Sequence, residues 1–121
     1  MEGASRVSIR VLVKDNYRVH ADGGSIDGFA SVDTATQYAK RRTRASVEEL
    51  RHPGQTAESL RGDFLLFGET ATVFAHGVEH YRASDDIDHF IAHPAQDDER
   101  DWMELSPPDT PVADAPPRPR A

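Results

Sequence analysis

Val7, Ile9, Val11 and Val13 recur at every second position, with Ser8, Arg10 and Leu12 between them. A period of two in β-branched residues predicts a strand with one strongly buried face. Lys14-Asp15-Asn16 reads as a turn or bulge, and Tyr17-Arg18-Val19-His20 as a short extended continuation. Asp22-Gly23-Gly24-Ser25 has turn chemistry, because glycine accepts positive φ at no steric cost. Ile26 to Ala30 then returns as a second strand, so the chain is expected to open on a β-hairpin.

The period then changes. Val32, Ala35, Ala39, Thr43, Val47 and Leu50 recur at spacings of three and four, one face of a helix. Ser31 stands at the N-cap position and Asp33 in the first turn, where a carboxylate meets the helix dipole favourably. Pro53-Gly54 ends the element. Thr56 is placed to cap a second helix with Leu60, Phe64 and Phe67 on its buried face and Gly68 as its C′ residue. The four-residue run Phe64–Phe67 also admits a strand. Thr70–Ala75 reads as a strand, Gly77 as a turn and Val78–Arg82 as the returning strand. Ser84 is placed to cap a last helix with Ile87, Phe90 and Ile91 inside, closed by Pro94.

These elements predict an α+β fold, a small, mainly antiparallel sheet packed against two or three helices, in one domain over residues 1–94. Beyond Pro94 the character changes. Asp97-Asp98-Glu99-Arg100-Asp101 is a charge run, and six of the sixteen residues from Ser106 onward are proline. So little apolar surface does not offset the entropy of ordering, so residues 95–121 are expected to form an acidic, proline-rich disordered tail.

Charge sharpens this division. The chain of 121 residues carries a formal net charge of −7, of which −3 falls on residues 1–94 and −4 on the shorter tail. That balance disfavours nonspecific binding to nucleic acid or an anionic membrane. No apolar run approaches membrane-spanning length, no secretory leader is visible, and the absence of cysteine fits a reducing compartment. A soluble cytoplasmic protein is the expectation. Aromatic residues make up 7% of the chain, so any cavity is expected to be shallow or shared between subunits of a homo-oligomer.

Candidate chemistry is sparse. His76-Gly77-Val78-Glu79-His80 matches the letters of the inverted zinc-protease signature, but that chemistry needs both His on one helix face, and the surroundings here read as strand and turn. Asp85, His89 and His93 form a stripe at helical spacing that is able to ligate a metal, although Asp at a helix start and His near its end also suit the dipole. A metal site joining His76 or His80 to His89 and His93 is the alternative reading. Lys40-Arg41-Arg42-Thr43-Arg44 spreads around its helix at about 100° per residue, which predicts a solvated face with ion pairs to Glu48 and Glu49 and not a nucleic-acid patch. No phosphate loop, nucleophile elbow or calcium loop is present, and no catalytic residue or cofactor is assigned.

Lys14-Asp15-Asn16-Tyr17, Gly28-Phe29-Ala30-Ser31, Ala45-Ser46-Val47-Glu48-Glu49-Leu50, Thr56-Ala57-Glu58, Phe67-Gly68-Glu69 and the closing helix after Ala83-Ser84 resemble a group of small bacterial α+β proteins with no assigned activity. The resemblance spans most of residues 14–92. It implies a fold and a bacterial setting and supplies no catalytic residues. Function is then expected from the tail. Trp102, Met103 and Leu105 put three large apolar side chains inside an acidic segment, which suits a protein partner or a docking groove on the domain itself. Pro116-Pro117-Arg118-Pro119-Arg120 suits a polyproline II segment. The expectation is a non-enzymatic interaction or regulatory module from which residues 95–121 can be deleted without loss of folding.

Overall fold

The computed structural model describes residues 9–16 and 22–107. Strand β1 (Ile9–Asp15) lies second in a four-stranded antiparallel sheet of order β2-β1-β3-β4, with β2 spanning Asp22–Asp27, β3 Glu69–Ala75 and β4 Val78–Arg82. Three helices complete it: α1 (Val32–Leu50), α2 (Ala57–Phe67) and α3 (Ile87–Ala92). The expected α+β architecture is what forms, and no described helix is long and apolar enough to cross a membrane. Val7, Tyr17–His20 and the stretch from residue 108 onward, including the expected polyproline segment, lie outside the described residues.

The alternation read in β1 sets the core. Ile9, Val11 and Val13 turn inward with Ala71, Val73 and Ala75 of β3, and Ala35, Tyr38 and Ala39 of α1 cover them with Phe29. Farther along α1 the same stripe meets a second cluster, in which Val47 packs with Leu60 and Phe64 of α2, Ala83, and Ile87, Phe90 and Ile91 of α3. Tyr81 touches both clusters. Ser31 caps α1 by accepting from the Thr34 N–H at 3.1 Å, and Thr56 caps α2 by accepting from the Ser59 N–H at 3.0 Å.

Four local expectations change. Gly23-Gly24 lies within β2 and not in a turn: Gly24, at φ +103°, sits opposite Val13 where the β1–β2 register shifts. Ser84 does not cap the last helix, because Ala83–Asp86 forms a 3-10 turn and α3 starts only after it. Phe67 is 52% exposed. With six residues, α3 is about 9 Å long, and its apolar groups are engaged by Leu60 and Phe64. Gly68 has φ −80° and ψ 172°, extended backbone that any residue adopts, so it is not a left-handed cap.

The ordered chain also runs past Pro94. Two 3-10 turns, Asp97–Glu99 and Met103–Leu105, carry residues 95–107 back along α1. Pro107 is buried beside Gly28, whose φ of +96° requires a residue without a side chain where the two segments meet.

Candidate functional site

The zinc-protease letters turn out to be a hairpin. His76 (φ +55°) and Gly77 (φ +80°) are the two turn residues joining β3 to β4, both left-handed as the primed hairpin turn requires. Glu79 pairs with Phe74 and Tyr81 with Val73, so His80 is the extra residue of a bulge. His89 and His93 do meet: their rings stack with centroids 4.3 Å apart, and His93 Nδ1 lies 3.0 Å from the His89 carbonyl oxygen. Among the described residues, no three His, Asp or Glu side chains are grouped so as to hold a metal ion.

Trp102 and Leu105 pack against the first core cluster, whereas Met103 is 55% exposed. The Trp102 ring meets the fully buried Tyr38 edge-on at 5.6 Å, and the Arg42 guanidinium lies 4.2 Å from the Trp102 ring centroid. The basic run on α1, expected to be a solvated face, supplies the tethers. Arg41 donates to the Glu104 carboxylate at 2.7 Å and to the Asp101 carbonyl at 3.1 Å. Arg44 donates to the His93 carbonyl at 2.6 Å. Arg42 also pairs with Glu69 at 2.8 Å, joining α1 to the start of β3. The legible clue was charge: a basic run at 40–44 and an acidic run at 97–101 in one small chain.

Two surface features had no such clue. The last turn of α2 carries Leu65, Leu66 and Phe67, exposed at 63%, 61% and 52%. Beside it, the sheet face opposite α1 is partly open, with Leu12 41% exposed. Between that face and α2 runs a groove of about 420 Å3, formed by Leu12 and Lys14 of β1, Thr70 and Thr72 of β3, Arg61 and Leu65 of α2, and Arg82.

Among the described residues, three ionisable groups are clearly shifted, and each serves the fold. Burial would lower the Arg42 pKa, but its hydrogen bond to Glu69 and that carboxylate's charge outweigh it and hold the guanidinium above its ordinary value. Burial and then the hydrogen bond to Asp86, at 2.6 Å, raise the Tyr81 phenol. Burial would raise Glu48, but its hydrogen bonds from Arg51 and from the Ala95 N–H prevail and lower it. The last shift predicts a pH dependence. A carboxylate depressed in the folded state stabilises fully above its unfolded pKa, and that stability is lost as pH falls through the lower folded value. The Tm gap between the wild type and Glu48→Gln should therefore be constant above the ordinary glutamate pKa of about 4.3 and close below it. A gap that stays open in acid would show that Glu48 acts through packing alone.

No family model, curated protein or solved structure matches this chain.

Proposed function

We propose that this chain is a non-enzymatic protein-interaction module and that the surface it offers a partner is the exposed end of α2. The observation that carries the reading is the exposure of three consecutive large apolar side chains, Leu65, Leu66 and Phe67. Successive residues point about 100° apart on a helix, so the three leave the last turn of α2 apolar on more than one side, with Leu65 turned to the groove, and an apolar helix end of that kind favours a covering partner. Covering what is still exposed would contribute about 1–2 kcal/mol for each side chain. Met103 is the part of the Trp102 segment still turned outward. Arg42, Glu48 and Tyr81 each answer a structural partner.

Gly62 offers a place to test this, since it lies in α2 one turn before Leu66 and a side chain there meets nothing within 4 Å. A photo-crosslinking residue at position 62 should capture a defined partner in the source cells. Leu66→Glu with Phe67→Glu should cut that capture at least about tenfold while leaving circular dichroism unchanged. Equal capture by the variant would overturn the proposal.

A further inference from the structure

The groove differs in charge from the rest of the chain. Three of its lining residues, Lys14, Arg61 and Arg82, are cations and none is acidic, in a protein with 21 acidic and 14 basic side chains. Two of these cations are answered from outside the groove: Arg61 by Asp88 at 2.6 Å and Arg82 by Glu79 at 2.9 Å. Lys14 makes no ion pair among the described residues.

The sheet register arranges the polar groups. Lys14 is opposite Thr70, and Arg82 is opposite Thr72 on the other side of β3. Side chains two apart on a strand share a face, so two long cations flank a pair of threonine hydroxyls. Thr70 Oγ1 is buried and has no hydrogen-bond partner among the described residues. A buried hydroxyl without a partner is costly, and rotation of the Thr70 side chain toward the groove would give it an acceptor there. Leu12 and Leu65 supply an apolar wall alongside. The volume, about 420 Å3, lies within the range of small-molecule sites, about 300–1,000 Å3.

We propose that the groove binds a small amphipathic anion, with a carboxylate or phosphate head held by Lys14, Arg82 and the threonine hydroxyls and a short apolar body against Leu12 and Leu65. This inference does not rest on the docking of a protein at the end of α2. The two surfaces share Leu65 and nothing else that either argument uses.

Octanoate, octyl phosphate, octanol and inorganic phosphate, each titrated into the full 15N-labelled chain, test the proposal. Saturable shifts should centre on Lys14, Thr70, Thr72 and Arg82 with octanoate or octyl phosphate, whichever head the groove prefers. Octanol and inorganic phosphate should bind at least about tenfold more weakly, since each lacks one half of the recognition. Lys14→Gln should weaken binding about tenfold with the remaining spectrum unchanged, and Arg82→Gln serves if that variant does not fold. Three outcomes would each overturn the proposal: octanol binding as tightly as octanoate, indifference to both substitutions, or shifts centred on Leu66 and Phe67.

Discussion

A chain ending at Pro94 is expected to melt about 20 °C below the full-length protein. Residues 95–107 carry no long element, but they close one side of the first core. Trp102 and Leu105 pack on that cluster, and Tyr38, which is 1% exposed, has Trp102 against its ring. Full truncation of a buried Trp costs about 3–5 kcal/mol, so a half-buried one is worth about 2. Leu105 adds about 1 kcal/mol through burial, and the Arg42 contact with the indole about 0.5–1. The exposed Arg41–Glu104 pair adds little despite its short distance. Together these losses amount to about 4 kcal/mol, a large share of the 5–15 kcal/mol that typically holds a domain. Trp102→Ala alone should lower Tm by about 10 °C. A chain ending at Pro107 retains every one of these contacts and should melt with the full-length protein. If the chain ending at Pro94 also melts with it, the segment is an appendage, and docking to a partner regains Trp102.

What was legible in the sequence was whatever one element decides for itself. The period of two in β1, the stripe of α1 and the caps at Ser31 and Thr56 are local patterns, and each stands in the structure as read. The segment of residues 95–107 was not legible in that way. Its helical turns have three residues each, too short for any period to appear, and what orders them is the surface of α1. The composition of residues 95–107 suggested disorder because Trp102 and Leu105 look insufficient until Tyr38 and Arg42 are placed beneath them. The groove is harder still. It draws on β1, α2, β3 and Arg82, so its positive lining comes from residues up to 68 positions apart, Lys14 and Arg82, in a chain whose average charge is negative. The Leu65–Phe67 run reads in the sequence as an apolar stretch to be buried, and nothing local marks its side chains as exposed.

Gly68 is where the two readings part most sharply, and Gly68→Ala should cost about 2–3 kcal/mol, about 10–15 °C in Tm. As a left-handed helix cap, Gly68 would be needed for its φ, and asparagine, which tolerates that region, would replace it at little cost. The observed φ of −80° suits any residue. What a side chain cannot do is fit: a Cβ at residue 68 would run into the Phe64 ring, itself only 2% exposed. Neither side is free to move away. Gly68 N–H donates to the Phe64 carbonyl at 2.8 Å, Asn16 N–H donates to the Gly68 carbonyl at 2.8 Å, and Asn16 Nδ2 donates to the Phe64 carbonyl at 3.1 Å. Gly68→Asn should therefore be at least as damaging as Gly68→Ala, the reverse of what a cap predicts. The ring is also the identifiable cause, so the cost of Gly68→Ala should shrink in a Phe64→Leu background, a coupling of about 1 kcal/mol or more in the double-mutant cycle. Strict additivity of the two substitutions, or a mild Gly68→Asn, would mean that the backbone and not the ring sets the requirement for glycine.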